Sequence, residues 1–466
     1  MLLLLAGRAD AQTVEAWVSS MDMRQRLTPQ ASLRFESGHR GAGEIIEIDP
    51  AQTYQTMLGL GSSLEATTCH NFALMPAKDR AEAMEKLVNP KRGIGMNLIR
   101  LCIGSSDFTG DPWYSYDDMP KGETDPKLER FSIAKDRDYI LPVVKLARRK
   151  NPEALFFASP WSPPGWMKTT GTMIGGHLLT QHYPAYAEYF ARFIEAYARE
   201  GIPIYAVTVQ NEPGVDRSLA ADPKWFYPSC HWTAEQERDF IRDHLGPTLR
   251  RHGLKTKIWC YDHNYNLQPS GNGENDGIGH PRAILADPRA AEFVDAVAFH
   301  GYDGEATGMT MLHHEFPAKR IYFTEGSVFD AQGGIDLIER LRNWAGSYNA
   351  WVTMLDENGR PNNGPFPATR AILALDSKTR KASYLYEYYQ YGQFMKFISR
   401  GAVRIGSSEG TKQFNNVAFR NPDGAIVLVI GNSDEKAREF AVRWRGRSII
   451  TKLGPQSVEA LVWRGR

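Results

Sequence analysis

The chain has 466 residues, of which 42% are hydrophobic and 23% charged, and its formal net charge is +1. This composition is typical of a globular protein with room for one large domain and a smaller one, and it excludes a disordered chain and a strongly basic nucleic-acid-binding protein. The 4 cysteines form no C-x-x-C pair, which argues against both a zinc site and a disulfide scaffold. We therefore expect no metal, no cofactor and no nucleic-acid partner.

Residues 1–12 contain a leucine run followed by Ala-Asp-Ala. This pattern resembles the end of a signal peptide, although the basic segment that normally precedes it is missing. The alternatives are a remnant of an export signal, which would make the protein secreted or periplasmic, and a chance match. Further along the chain, no apolar run approaches the roughly 20 residues of a membrane span, so we expect no transmembrane segment.

From residue 57 onward, strand, loop and helix patterns repeat eight times. Strands are predicted at 57–61, 96–101, 154–159, 257–261, 294–300 and 348–354, and two more are predicted to end at Glu212 and Glu325. Helices are predicted around 77–88, 136–149, 184–200 and 381–396, with another beginning near Thr233. The 184–200 segment repeats aromatic residues at spacings of three and four, which is typical of an amphipathic helix.

Eight strand–helix units in succession predict a (β/α)8 barrel, or TIM barrel. The main alternative is a doubly wound open sheet, which requires a glycine-rich nucleotide loop after its first strand. The segment Gly59–Leu64 lacks the third glycine of that fingerprint, so the sequence favours the barrel.

Helical patterns stop near residue 400, and only strand patterns follow. Strands are predicted at 416–420, 425–430, 438–444, 448–453 and 458–463, and the turn Asn421-Pro422-Asp423-Gly424 separates the first two. This segment predicts a β-sandwich, and the weakly alternating residues 13–53 are expected to join it. The predicted domains are therefore 13–53 and 399–466 for the sandwich and 54–398 for the barrel.

Two stretches, Val207–Pro213 and Arg320–Gly326, each end an apolar run on a glutamate that is followed by a breaker. Proline cannot donate to a sheet ladder and disfavours helix at the residue before it, so strand four is predicted to stop near Glu212. Functional side chains of barrels gather at the carboxyl-terminal ends of strands. Glu212 and Glu325 are therefore predicted to be the catalytic carboxyl pair of a glycosidase, one protonated and one ionised.

Neighbouring residues suggest which glutamate has which role. Asn211 precedes Glu212 and is placed to hold a sugar 2-hydroxyl, a contact that strengthens in the transition state. Arg100 can keep Glu325 ionised by charge pairing, and Tyr302 can donate a hydrogen bond to it. We therefore predict that Glu212 is the acid/base and Glu325 the nucleophile.

Other candidates have a functional and a structural interpretation. Trp161, Trp166 and Trp351 can wall a sugar site or pack the core. His300 can be a polar contact or a buried imidazole with satisfied hydrogen bonds, and Asp107 can bind a sugar hydroxyl or cap a turn.

Several of these segments resemble glycoside hydrolase family 30, in particular its glucosylceramidase-like branch. The most specific are Asn97–Arg100, Ser105–Phe108, Ala158–Pro163, Ala206–Pro213 and Thr324–Gly326. The resemblance runs from about residue 55 to the end of the chain. It implies a barrel with a side β-sandwich and a retaining mechanism without a metal.

The resemblance also implies site residues. Glu212 corresponds to the family acid/base and Glu325 to its nucleophile. Contacts to the sugar at subsite −1 are implied for Arg100, Asp107, Trp161, Asn211, Tyr302, Trp351 and, in a loop, Asn362. Gly301 departs from the family by replacing an aromatic residue between His300 and Tyr302, and Ser327 replaces the cysteine of the animal enzymes.

The expected function is a retaining exo-β-glycosidase acting on β-glucosides, with a carbohydrate or a glycolipid such as glucosylceramide as substrate. Within the same family, the alternatives are a β-xylosidase, a β-fucosidase and a β-1,6-glucanase. A non-catalytic carbohydrate-binding barrel is the alternative from another class, but a pure binder has no need of both glutamates. The oligomeric state is left open.

Overall fold

In the computed structural model, residues 12–37, 43–110, 112–266, 277–364 and 370–465 are described. Within these residues, eight parallel strands form one sheet in the order one, eight, seven, six, five, four, three, two. Barrel strands one to eight are Gly59–Ser62, Leu98–Cys102, Leu155–Ser159, Ile204–Thr208, Lys257–Asn264, Val294–His300, Arg320–Gly326 and Ser347–Ala350. A parallel bridge between Ser63 and Arg100 joins strands one and two, so the predicted barrel is confirmed.

The helices follow the strands as the sequence predicts. They are Ala66–Leu74, Ala77–Val88, Ile140–Lys150, Tyr183–Arg199, Ala234–Phe240, Gly246–Arg251, Gly279–Leu285, Pro288–Phe293, Thr307–Glu315, Asp330–Arg342 and Tyr386–Met395. Tyr183–Arg199 buries its predicted apolar face, since Tyr186, Tyr189, Phe190, Phe193 and Tyr197 are all inaccessible to solvent. Thr233 caps the next helix through a reciprocal hydrogen-bond pair with Gln236.

Strands four and five depart from their predicted ends. Strand four ends at Thr208, four residues before Glu212, so the prediction that it reaches Glu212 was wrong. Strand five continues to Asn264 because a register shift between Tyr261 and His263 carries it past its predicted end. Both changes alter which side chains reach the mouth of the barrel.

The second sheet in the described residues has 11 strands and draws on both ends of the chain. They are Thr13–Ser20, Thr28–Pro29, Leu33–Arg34, Glu36–Ser37, Glu44–Thr56, Val403–Ser407, Phe414–Arg420, Ala425–Asn432, Arg438–Trp444, Arg447–Leu453 and Ser457–Arg464. Strand Thr13–Ser20 pairs antiparallel with Ser457–Arg464, which confirms that the N-terminal strands join the sandwich. Aliphatic and aromatic side chains of both segments, such as Val14, Phe35 and Trp463, share one buried core.

The chain divides into two compact units. One comprises Leu58–Val328 and Arg340–Tyr388, and the other Met1–Met57, Phe329–Glu339 and Tyr389–Arg466. A small sheet of Met354–Asp356, Leu373–Leu375 and Ala382–Tyr384 lies in the barrel unit. Among the described helices, none combines the length and the apolar character needed to cross a bilayer.

A buried acid lies in the sandwich unit. Glu459 is 3% exposed and is paired across the sheet with Val18 and Ile430. No described residue donates a hydrogen bond to its Oε2 atom. Burial raises the pKa of Glu459 to about 8, so the folded protein keeps this carboxyl group neutral at pH 7.

Glu459→Gln is expected to stabilise the protein at alkaline pH. Between pH 4.5 and 8 the carboxyl group ionises in the unfolded chain but not in the folded one, so the free energy of unfolding falls as the pH rises. Each unit of pKa difference corresponds to ~1.4 kcal/mol, so the variant should raise Tm at pH 8 by at least about 3 °C and change it little at pH 4. Thermal unfolding at both pH values tests this, with Glu439→Gln at an exposed position of the strand Arg438–Trp444 as the control. Equal Tm shifts at both pH values would contradict it.

Candidate active site

Glu212 lies just beyond strand four at the mouth of the barrel. Its backbone φ is +50°, a left-handed conformation that is uncommon for glutamate, and its N–H donates to the carbonyl oxygen of Asp262 at 3.1 Å. Its Oε1 atom is 3.3 Å from Nδ1 of His300 and 3.8 Å from Nδ1 of His263. The Glu212 side chain remains 16% exposed, so a substrate can reach it from solvent.

Glu325 lies within strand seven, in register with His300 on strand six. Nη1 of Arg100 donates to its Oε2 atom, and the hydroxyl of Tyr302 donates to its Oε1 atom at 2.9 Å. Nε2 of His300 lies 3.9 Å from Oε2. One imidazole ring is therefore within 4 Å of both glutamates, which places the two predicted catalytic carboxyl groups in a single pocket.

Arg100 is fully buried and connects strands two, five and seven with the segment that follows strand four. Its Nη2 atom donates to Oδ1 of Asn211 and to Oδ2 of Asp262, each at 2.8 Å. The Asn211 amide therefore faces the guanidinium, beside the carboxylate of Glu325. Because a guanidinium donates in fixed directions, Arg100 sets the relative positions of these three side chains.

Asp262 is the centre of the hydrogen-bond network, and it was absent from the sequence prediction. Its Oδ1 atom accepts from Thr324 at 2.6 Å and lies 3.0 Å from Nε2 of His300. Its Oδ2 atom accepts from the hydroxyls of Ser159 and Thr208 as well as from Arg100. This fully buried carboxylate is thus satisfied on both oxygens, as a buried charge must be.

A signal for Asp262 and His263 was present in the sequence but was weak. Both residues follow the apolar run of strand five, as polar residues at other strand ends do. The predicted strand ends at residue 261, so Asp262 and His263 both fall outside it. Tyr261 and Asp262 have φ values of +76° and +64°, and this local reversal turns Asp262 into the pocket.

The cluster keeps its proton on His300. Burial alone lowers the pKa of a histidine, but the carboxylates of Glu325 and Asp262 outweigh it and raise the pKa of His300 to about 9. Burial raises the pKa of Glu212, yet the hydrogen bond from His300 and the charge of His263 bring it down to about 2. Glu212 is therefore ionised and faces an imidazolium.

The pKa of Glu325 is raised, whereas that of Glu212 is lowered. Burial raises its pKa and the charges of Glu212 and Asp262 add to this effect, while His300 and Arg100 oppose it. These directions run against the expectation that Glu212 holds the proton and Glu325 is ionised. The contacts of Glu325 run with that expectation, because a guanidinium and a phenol hydroxyl donate to its two oxygens.

Aromatic side chains form one wall of the pocket. The rings of Trp161 and Trp351 stack with their centroids 5.1 Å apart, and Phe108 meets Trp351 edge-on. The Arg100 guanidinium lies 5.0 Å from the Trp161 ring centre and 5.5 Å from that of Trp351. Both tryptophans are buried beside Arg100, which fits the packing interpretation, and their role as walls of a sugar site stays a prediction.

Asp107 and Asn362 each carry a buried oxygen that accepts no hydrogen bond from the described residues. Burial raises the pKa of Asp107 well above its usual range, and the charges of Glu325 and Glu212 add to the shift. Gly364 follows Asn362 and packs so closely on Asp107 that a Cβ would lie 2.4 Å from the Asp107 carbonyl oxygen. The loop of Asn362 therefore lies against the loop of Asp107.

Steric crowding explains why position 301 is a glycine. A Cβ at this position would lie 2.6 Å from the ring of Phe323 and 2.9 Å from Nε of Arg340. No side chain fits without displacing one of them. The pocket therefore lacks the aromatic wall that the resemblance implies between His300 and Tyr302.

A parallel eight-stranded barrel that holds a carboxyl pair at the ends of strands four and seven defines a glycoside hydrolase. The chain belongs to glycosyl hydrolase family 30: the TIM-barrel domain of that family matches residues 57–398, and its β-sandwich domain matches residues 401–461. The family recognised from sequence motifs is thereby confirmed.

Individual relatives differ in activity. An endo-1,6-β-D-glucanase of Neurospora crassa is 30% identical over 457 residues, which covers 92% of this chain and 91% of that enzyme. A putative glucosylceramidase of Caenorhabditis elegans, number 4, is 31% identical over 424 residues, covering 84% and 77%. The solved structure of an endo-β1,6-glucanase superposes with a TM-score of 0.84 at 28% identity, covering 97% of this chain and 99% of that one.

Proposed function

We propose that this chain is a retaining hydrolase that cleaves β-1,6-linked glucan internally. The observation that carries the substrate is the similarity to endo-1,6-β-glucanases over nearly the whole chain, in sequence and in three dimensions. The observation that carries the chemistry is the pocket in which one histidine contacts both Glu212 and Glu325.

In this mechanism Glu325 attacks the anomeric carbon while Glu212 protonates the departing O6 of the next glucose unit. The C1–O6 bond breaks as the bond from C1 to Glu325 forms. Glu212 then removes a proton from water, the water oxygen attacks C1, and Glu325 leaves as a carboxylate. Both steps invert C1, so the product retains the β configuration.

Glu212 has to be protonated before it can act as an acid, and His300 is the nearest proton source. The 3.3 Å separation of its Nδ1 from Oε1 of Glu212 allows direct transfer. A bound sugar that displaces water from the pocket disfavours the separated carboxylate–imidazolium charges and drives the proton onto Glu212. His300 is then a neutral imidazole that still contacts Asp262.

A substrate panel tests the proposal. Linear β-1,6-glucan should be the best substrate and should yield a ladder of oligosaccharides, whose newly formed anomeric protons appear first in the β configuration by NMR. Glucosylceramide in detergent, β-1,3-glucan and aryl β-xylosides are the comparison substrates. Glucose as the sole early product, or a higher kcat/KM on any comparison substrate, would refute internal β-1,6 cleavage.

The second candidate function is glucosylceramide hydrolysis, one of the activities expected from the sequence. It is favoured by the 31% identity to the putative glucosylceramidase. This candidate uses the same two glutamates with ceramide as the leaving group. Ceramide release as the fastest reaction of the panel would support it.

Two exposed apolar side chains in the loop after Glu212 suggest where the leaving part of a glucan binds. Leu219 is 81% exposed and Trp225 36% exposed, and Trp225 is two residues from Tyr227, which packs with Trp161 and Trp351. Trp232 donates its backbone N–H to Pro213, so this loop begins and ends beside the acid/base. We therefore propose that the ring of Trp225 stacks on a sugar on the leaving-group side.

Trp225→Ala is expected to lower kcat/KM on β-1,6-glucan by roughly five- to tenfold, the value of about 1 kcal/mol of stacking. The loss on an aryl β-glucoside should be smaller, because that substrate carries no second sugar. Initial rates on the two substrates test this. Met311→Ala, at an exposed apolar position on the helix Thr307–Glu315, is the control and should change neither rate. Equal losses on the two substrates would argue against a leaving-group contact.

A further inference from the structure

Three side chains in the pocket, one of them Glu212, place potential metal-ligand atoms close together. One ligand atom from each of Glu212, His263 and His300 lies within 4.8 Å of the others. Oε1 of Glu212 is 3.3 Å from Nδ1 of His300 and 3.8 Å from Nδ1 of His263. Two ligands of one tetrahedral zinc ion, each at about 2.0–2.1 Å, stand roughly 3.4 Å apart, so small side-chain shifts complete this geometry.

The outer contacts of the cluster suit metal binding. His300 contacts Asp262 through Nε2 at 3.0 Å and directs Nδ1 toward Glu212. A histidine whose far nitrogen donates to a carboxylate is oriented to bind a metal through the other nitrogen. Asp262 is itself fixed by Thr324 and Arg100, so this support is rigid.

The backbone that carries the two histidines is held by the pairing of two strands. His263 lies on strand five and His300 on strand six, and these strands pair in parallel up to Asn264 and His300. Both histidine side chains are nearly inaccessible, while Glu212 is 16% exposed and faces the pocket. An ion entering the pocket therefore meets the Glu212 carboxylate first and the two imidazoles behind it.

Two imidazoles and one carboxylate select borderline divalent ions. Zn²⁺ and Cu²⁺ prefer this donor set, whereas Mg²⁺ and Ca²⁺ prefer oxygen ligands alone. The guanidinium of Arg100 opposes a further positive charge, and the carboxylates of Asp262 and Glu325 offset it. The charge balance thus permits binding of a divalent ion.

We propose that Glu212, His263 and His300 form an inhibitory site for Zn²⁺ or Cu²⁺. The ion binds to the carboxylate oxygen that Glu212 uses as acid/base, so the metal-bound enzyme cannot protonate a leaving group. The inhibitory effect rests on the proposed role of Glu212, whereas binding of the ion does not. Removal of the ion by a chelator restores activity.

Direct metal binding is the first test. The chelator-treated full-length protein is titrated with Zn²⁺ by calorimetry and with Co²⁺ by visible absorption. We expect one equivalent to bind, with a Co²⁺ spectrum typical of four or five nitrogen and oxygen ligands. His263→Gln should weaken binding about 100-fold, and Glu212→Gln is a second variant should the first fail to fold. His314→Gln, on the helix Thr307–Glu315, should bind as the original chain does.

Activity is the second test, measured as aryl β-glucoside hydrolysis against Zn²⁺ concentration. The midpoint of inhibition should match the calorimetric Kd and should shift by the same factor in His263→Gln. Absence of a stoichiometric ion, an unchanged Kd in His263→Gln, or full activity with the ion bound would each overturn the proposal. Failure of the proposed function appears differently, as an absence of hydrolysis before any metal is added.

Discussion

Glu325→Gln is expected to lower kcat/KM by roughly 10⁴-fold or more on every β-glucoside, activated or not. The amide cannot attack the anomeric carbon, and no other described carboxylate accepts hydrogen bonds from both Arg100 and Tyr302. Gln has nearly the same shape as Glu and leaves Arg100 paired with Asp262, so the fold should survive. Initial rates on β-1,6-glucan and on an aryl β-glucoside give the measurement.

Two controls accompany this variant. Glu235→Gln, at an exposed position on the helix Ala234–Phe240, makes the same chemical change away from the pocket and should keep full activity. The Tm of Glu325→Gln should stay close to that of the original chain. Activity within tenfold of the original chain would remove Glu325 from the nucleophile role.

Glu212→Ala is expected to show a loss that depends on the leaving group. On β-1,6-glucan, whose departing alkoxide needs a proton, kcat/KM should fall by about 10³–10⁴-fold, the usual contribution of a general acid. On 2,4-dinitrophenyl β-glucoside, which leaves without a proton, the first step should be nearly unaffected. The second step still lacks its base, so the glycosyl-enzyme should accumulate and produce a burst of dinitrophenolate.

A small anionic nucleophile distinguishes this role from a structural one. Azide needs no base and fits the space of the missing side chain, so it should accelerate turnover of the dinitrophenyl substrate and yield a β-glucosyl azide. Glu325→Gln should show neither the burst nor the rescue. Equal losses of Glu212→Ala on the two substrates would show that Glu212 is not the acid/base.

The three carboxyl groups of the pocket differ in their charged neighbours. Asp262 is kept ionised because Arg100 and His300 outweigh its burial and hold its pKa well below the usual range. Glu325 shares Arg100 with it, and Glu212 shares His300 with it. Asp262 therefore contacts the cationic partner of each glutamate, and we expect its loss to disturb both steps of the proposed reaction.

Much of the fold was predictable because its signals are local. The helix Tyr183–Arg199 follows from the spacing of its aromatic residues, and the hairpin after Phe414–Arg420 follows from the Asn-Pro-Asp-Gly turn. Both catalytic candidates were found from the sequence for the same reason. Each glutamate follows an apolar run and precedes a residue that interrupts regular structure.

The sequence by itself determined the barrel and the sandwich and predicted the two catalytic glutamates, since periodicity and turn chemistry act between residues near one another in the chain. Only the tertiary structure decided that Asp262 and His263 enter the pocket. Asp262 meets Arg100 across 162 positions of chain, through a left-handed reversal in strand five that no local pattern announces. The pKa values of His300 and Glu212 were also decided there, because they depend on charges that strands five, six and seven and the segment after strand four bring together.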